Sequence, residues 1–212
     1  MEKNLSKSDS IPEPIVFVVD DDKDLRDALL DLFLVTNRRA SAFSSGSEFM
    51  RTADTTAAGC VVVDLRMPGG TGLDVQSELI SLGSKIPVIF LTAHADVPVS
   101  VRAMKAGATD FLIKPFVTQD LLDAVDQAIL IDSERRKSES ECNRVRMLAD
   151  TLTPREREVM FAVTSGLMNK QVAYQLGISE MTVKLHRMSV MRKMQSRSLA
   201  DLVRKVEKLQ SN

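Results

Sequence analysis

Cysteine, histidine and long apolar runs are scarce in this chain. Its two cysteines, Cys60 and Cys142, lie far apart and match no metal-ligand spacing. That excludes a disulfide framework and suits a reduced, cytoplasmic setting. The two histidines, His94 and His186, are too few for a histidine-rich metal centre. No apolar run approaches the roughly 18 residues that suggest a membrane span, so no membrane partner is expected. Met1 to Pro14 is polar, without the apolar stretch of a secretory signal, and is expected to be a loose tail. A nucleotide-binding glycine-rich loop is also missing.

What is present is an uneven distribution of charge. The 212 residues are 44% apolar, enough for a folded core, and leave room for one large domain or two small ones. Their net charge is −1. Up to residue 128 there are 12 Lys and Arg against 19 Asp and Glu, a net of −7. From residue 151 onward there are 11 against 5, a net of +6, and the stretch between them is neutral. Two modules with different partners are implied, an acidic one suited to cations and a basic one suited to nucleic acid.

In the acidic part, apolar runs at Ile15–Val19, Cys60–Val63, Ile86–Leu91 and Phe111–Ile113 read as buried strands, with a weaker one near Ala40–Phe43. Leu25, Ala28, Leu29, Leu32 and Phe33 form one helical stripe. Further helical stretches fall near 44–53, 72–82 and 96–106, with another from about 118. Five strand–helix units imply an α/β fold, a doubly wound five-stranded parallel sheet covered on both faces. Ligands of such sheets bind at the carboxyl ends of the strands.

Those ends carry the informative polar residues. Asp20, Asp21 and Asp22 follow the first strand, Asp64 ends the third, Thr92 the fourth and Lys114 the fifth. Gathered carboxylates repel one another, and a hard divalent cation such as Mg²⁺ would relieve this. Thr92 and Lys114 would add a hydroxyl and a positive charge for an anionic, phosphate-like group. Taken singly, the Asp run reads first as helix capping and the others as solvated polar groups; their joint placement at successive strand ends favours the site. Pro68-Gly69-Gly70 is a turn signal beside Asp64. His94 reads as an exposed loop residue, and Met104 and Phe116 read as core.

The motifs VVDDD, VVVDLRMPGGTG, FLTAHAD and AMKAGATDFLIKPF resemble the CheY-like receiver domains of bacterial response regulators. The resemblance covers roughly Pro14 to Leu130. It implies that Asp64 accepts a phosphoryl group from a sensor histidine kinase. It implies Mg²⁺, or another divalent cation such as Mn²⁺, on Asp20, Asp21, Asp64 and the main-chain carbonyl of Arg66. Lys114 and Thr92 would contact the phosphoryl group, and Phe111 would be the aromatic that moves with Thr92. The Lys114-Pro115 bond is usually cis in this family. Asp22 matches a variable position and stays outside the site.

From Leu121 a helical pattern continues through SERRKSESECNRVRM, without Gly or Pro and with alternating charge. It reads as a solvated helix or a flexible linker, and the helix is favoured. The basic part opens on Thr153-Pro154, a helix start, followed by Val159, Met160 and Val163 facing inward and an end near Gly166. Ala173, Gly177 and Val183 fit a helix-turn-helix, with Ser179 capping its second helix. Leu199, Leu202, Val203 and Val206 mark a last helix, serving either a dimer contact or the core.

The segments LTPREREV, GLMNKQVA, LGIS and TVKLH resemble the LuxR-type DNA-binding domain of the NarL/FixJ regulators, over about 148–209. The whole chain resembles the FixJ/StyR branch. An all-α four-helix module is implied, with Lys184, Leu185 and Met188 facing the major groove of promoter DNA. Lys170, Thr182, His186 and Arg192 are candidate phosphate contacts, although His186 reads equally as a packing residue. Domain limits are then expected at 1–13 for the tail, 14–130 for the receiver, 131–147 for a helical linker and 148–212 for the DNA module. The resemblance further implies homodimerisation on phosphorylation through a surface near the fourth helix and fifth strand, with RNA polymerase as a partner and activation of transcription. Two other functions fit parts of the sequence: a Mg²⁺-dependent phosphotransferase or phosphatase, and a phosphorylation-independent interaction module. The missing nucleotide loop and substrate cap oppose the first. The intact set of Asp20, Asp21, Asp64, Thr92 and Lys114 opposes the second. The chain is not expected to be an enzyme.

Overall fold

The computed structural model describes residues 13–93 and 97–210. Apart from Glu13, the tail expected over 1–13 lies outside these residues, and so does His94. The chain divides into two compact units, 1–135 and 136–212.

The first unit alternates β1 (Ile15–Val19), α1 (Lys23–Val35), β2 (Arg39–Phe43), α2 (Gly46–Thr52) and β3 (Gly59–Asp64). A small antiparallel ribbon follows, β4 (Arg66–Met67) with β5 (Gly70–Thr71). Then come α3 (Gly72–Ser81), β6 (Val88–Thr92), α4 (Val97–Lys105), β7 (Asp110–Ile113) and the first part of α5 (Thr118–Asp150), a helix whose residues divide between the two units. The five long strands are all parallel, in the order β2-β1-β3-β6-β7. The expected doubly wound sheet is therefore present. The ribbon is a feature the apolar runs did not reveal.

Side chains alternate across the sheet with a period of two. Val16, Val18, Cys60, Val62, Ile89 and Leu91 pack on one face with Leu29 and Phe33 of α1 and Leu121, Val125 and Ala128 of α5. Phe17, Val19, Val61, Val63, Val88 and Phe90 pack on the other with Phe49 of α2, Val75 and Leu79 of α3 and Ala103 of α4. Each fully buried Phe or Leu contributes roughly 1.5–3 kcal/mol by leaving water. Phe116 packs at the edge of the first core. Met104, expected in the core, is exposed instead. Its neighbour Ala103 is the residue α4 turns inward, at 0% exposure, because one helical step rotates the side chain by about 100°.

Two glycines are dictated by close approach. Gly59 has φ +142°, and a Cβ there would lie 1.8 Å from the Ile15 carbonyl oxygen. A Cβ on Gly72 would lie 2.6 Å from the Asp64 carbonyl oxygen and 2.9 Å from the Phe90 ring. Gly72 thus lets α3 begin directly against the end of β3.

The second unit holds α6 (Pro154–Thr164), α7 (Asn169–Leu176), α8 (Glu180–Lys193) and α9 (Leu199–Gln210). Thr153 caps α6 through a reciprocal capping box with Glu156, with Pro154 in the first turn. Gly177 ends α7 in the left-handed conformation, φ 65° and ψ 37°, and the Ser179 hydroxyl then caps α8. Val159, Met160, Val163, Val172, Ala173, Val183, Val190, Leu202 and Val206 form its core. Val145 and Ala149 of α5 belong to the same core. The stretch 131–147 is helical throughout, inside α5. No helix of the described residues is long and apolar enough to cross a membrane.

Candidate functional site

The order of the strands decides where a site can form. The chain moves from β1 outward to β2 and then back across to β3, so the carboxyl ends of β1 and β3 flank the crevice where such sheets bind ligands. Asp20 leaves β1 there, and Asp64 is the last residue of β3. Lys114, just past β7, reaches both: its ammonium donates to Asp20 Oδ2 at 2.7 Å and to Asp64 Oδ1 at 2.6 Å. The two carboxylates are almost fully buried. The Asp22 amide donates to Asp20 Oδ1 at 2.9 Å, and the Arg66 amide donates to Asp64 Oδ2 at 2.7 Å.

The Asp run divides its labour. Asp20 turns inward, Asp21 stays exposed, and Asp22 caps α1 by accepting from the amides of Asp24 and Leu25. The capping reading of the run thus holds for Asp22, while Asp20 is the member that faces Lys114. Thr92, at the end of β6, is buried, and its carbonyl accepts the Lys114 amide at 2.6 Å. The Lys114-Pro115 peptide is cis. Phe111 is half-buried, its ring 6.3 Å from that of Phe90.

The pocket holds more negative than positive charge. Burial pushes the Asp20 carboxyl above the ordinary range, although Lys114 and the Asp22 amide pull it down. For Lys114, burial opposes the charged form, but its hydrogen bonds to Asp20 and Asp64 outweigh burial and hold the ammonium above its usual value. One lysine thus serves two buried carboxylates, with Asp21 adjacent. Among the described residues, no three Asp, Glu, His or Cys side chains converge as a ready-made metal cage. The donors that do converge are all oxygen, on a pocket with surplus negative charge. That chemistry fits a hard divalent cation completed by water.

The second unit presents a different surface. On α8, Lys184, Leu185, Met188 and Arg192 are exposed, opposite the buried Val183 and Val190. Lys170 on α7 is also exposed. Thr182 is half-buried, and its hydroxyl lies 2.8 Å from that of the capping Ser179. His186 is half-buried. Met181, 66% exposed on the same side of α8, went unnoticed in the sequence, although its spacing of four from Leu185 signals a shared face.

Sequence reasoning also missed a buried polar cluster. Glu156 of α6 accepts from the Thr153 amide, from the Ser189 hydroxyl at 2.5 Å and from the Lys193 ammonium at 2.6 Å. Hydrogen bonds from Lys193 and then Ser189 depress its carboxyl to about 2. Glu156 therefore ties α6 to α8.

The model of the response regulator receiver domain matches residues 16–126, and that of the luxR family of bacterial regulatory proteins matches 150–206. The chain is a response regulator of the NarL/FixJ family. Nodulation protein W of Bradyrhizobium diazoefficiens is 49% identical to this response regulator over 195 residues, 92% of this chain and 86% of that protein. The response regulator protein TodT of Pseudomonas putida is 40% identical over 198 residues, 93% and 87% of the two chains. Among solved structures, the response regulator StyR superposes with a TM-score of 0.84 at 45% identity, over 92% of this chain and 99% of that one. Full-length FixJ of B. japonicum gives 0.58 at 36% identity, over 94% and 98%. The response regulator therefore joins a receiver to a LuxR-type DNA-binding domain, as its relatives in two-component regulation do.

Proposed function

We propose that Asp64 is the phosphoacceptor and that its phosphorylation switches the DNA-binding module. The observation that carries this is the Lys114 ammonium held between Asp20 and Asp64, at 2.7 and 2.6 Å. An Asp64 carboxylate oxygen attacks the phosphorus of a phosphohistidine on a sensor kinase. The P–O bond forms as the P–N bond breaks, and the imidazole leaves. Lys114 turns part of its charge from Asp64 to the incoming phosphoryl oxygens, and the Thr92 hydroxyl donates to another. Asp20, Asp21, Asp64 and the Arg66 carbonyl would hold Mg²⁺, or Mn²⁺ in its place, which supplies charge neutralisation for the phosphoryl group.

The added charge of about −1.5 to −2 draws Thr92 and Lys114 inward, and Phe111 follows into the space beside Phe90. That motion biases the face of α4 and β7. Val101, Met104 and Ile113 are exposed there, which supports a surface for homodimerisation. Two DNA modules would then read two half-sites in promoter DNA, with RNA polymerase recruited and transcription activated. Lys184, Leu185 and Met188 face bases, while Lys170, Thr182, His186 and Arg192 contact phosphates. Division into a tail over 1–13, a receiver over 14–130, a linker over 131–147 and a DNA module over 148–212 belongs to this proposal, as does a cytoplasmic location. The chain acts as a switch and turns over no substrate.

The test is labelling from a small phosphodonor with Mg²⁺. One phosphoryl group per chain is expected in the parent protein and none in Asp64→Asn. Equal labelling of the variant would remove Asp64 from the role.

A further inference from the structure

The solvent-facing side of α8 is unusually apolar for a helix in a module of net charge +6. Met181, Leu185 and Met188 are 66%, 60% and 69% exposed. At 3.6 residues per turn they fall, with Lys184 and Arg192, inside an arc of about 100°, directly opposite Val183 and Val190. Among the described residues, none of the three packs against the module's core. Val183 and Val190 already fasten α8 to the core at 0% exposure, and Glu156 holds one flank through Ser189 and Lys193. The other flank is held by the Arg187 guanidinium, which donates to Asn169 of α7. Exposed apolar side chains on a rigidly held helix face mark a surface that is covered in use.

The surrounding charge names what covers it. Lys184 and Arg192 lie within the arc and Lys170 is exposed on α7, so the partner is a polyanion. From Met181 to Met188 the stripe climbs seven residue steps, about 10 Å at roughly 1.5 Å per step. Three base-pair steps at about 3.4 Å occupy the same length. The apolar feature of a base edge in the major groove is the C5-methyl of thymine, which 5-methylcytosine shares. Within the arc, Lys184 and Arg192 are the only hydrogen-bond donors, so direct readout by side-chain amides is absent from this face.

We propose that Met181, Leu185 and Met188 together read pyrimidine C5-methyl groups on neighbouring base pairs, with Met181 extending the reading surface toward the N-terminus of α8. This rests on the reading of α8 as the DNA-contacting helix. It makes the operator one in which methyl-bearing positions, rather than guanines, carry much of the specificity.

The experiment selects sites from random duplex DNA with the full-length protein, a small phosphodonor and Mg²⁺, then replaces each thymine of the selected site by deoxyuridine. Two or three adjacent positions should each lose about threefold to tenfold in affinity, as expected for one buried methyl. Replacing one of those T·A pairs by C·G should weaken binding, and 5-methylcytosine at that position should restore part of it. Met181→Ala and Met188→Ala should each erase the deoxyuridine penalty at one position, whereas Lys184→Ala should weaken binding and leave the penalties in place. A specific site that tolerates deoxyuridine everywhere would overturn the methyl reading while leaving specific DNA binding intact. Failure to select any site, with only salt-sensitive uniform binding, would overturn the DNA-reading role itself.

Discussion

The receiver and the DNA module each bury a carboxylate against a lysine, and the two sites are built on opposite electrostatic logic. In the receiver, Asp20 and Asp64 share Lys114, and burial drives the Asp20 carboxyl up. In the DNA module, Glu156 accepts from Lys193, Ser189 and a backbone amide with no second carboxylate on that lysine, and its carboxyl falls to about 2. Surplus negative charge costs stability and creates an appetite for a cation and an electrophile. Balanced charge leaves nothing to react and serves to fasten one helix to another.

Their dependence on pH should therefore have opposite signs. A carboxyl depressed below its ordinary value of 4.5 stabilises the fold above that pH, and its contribution fades as pH falls toward about 2. A carboxyl raised by burial, as in Asp20, weighs against the fold once it ionises, so its cost appears as pH rises above the ordinary 3.8.

Removing each carboxylate separates the two designs. Glu156→Ala should cost the DNA module about 3 kcal/mol, because it takes the acceptor from the Ser189 hydroxyl and leaves the Lys193 ammonium the Thr151 carbonyl in place of a carboxylate, while phosphoryl uptake stays unchanged. Urea unfolding followed alongside labelling checks both halves of that statement. Asp20→Asn should do the reverse. Phosphoryl uptake should drop about 10–100-fold through weakened metal binding, with receiver stability kept or improved. If Asp20→Asn destabilised the receiver as much as Glu156→Ala destabilises its own unit, the contrast would collapse. Gly72→Ala should cost about 1–3 kcal/mol, since its methyl would press on the Asp64 carbonyl and the Phe90 ring. It should also slow phosphorylation, and a scan of receiver melting with and without Mg²⁺ would reveal it. Lys184→Ala should weaken specific DNA binding about tenfold, with a shallower dependence on salt, read from binding isotherms at several salt concentrations.

Patterning made one of these designs visible in sequence and hid the other. Asp20, Asp64, Thr92 and Lys114 each sit at the end of an apolar run, so a parallel sheet necessarily gathers them on one rim. The turn at Gly177 and the cap at Ser179 were legible for the same local reason. The pairing of Glu156 with Ser189 and Lys193 spans more than 30 residues and has no periodic signature. The same holds for Asp132, buried on α5, which accepts the Gly59 amide from 73 residues away. The ribbon of β4 and β5 escaped because two-residue strands carry no alternation. Met104 was misplaced because Ala103, the smaller apolar neighbour, fits beneath α4.

Phosphorylation of Asp64 is proposed to control the occupancy of DNA by α8. The most direct measurement is a footprint of the parent protein and of Asp64→Asn on a selected site, each with and without a small phosphodonor and Mg²⁺. Protection should strengthen on adding phosphodonor to the parent protein, together with a doubling of the mass in solution. Asp64→Asn should keep the weaker unphosphorylated footprint and stay unresponsive. An equal gain in protection by both proteins would contradict the claim.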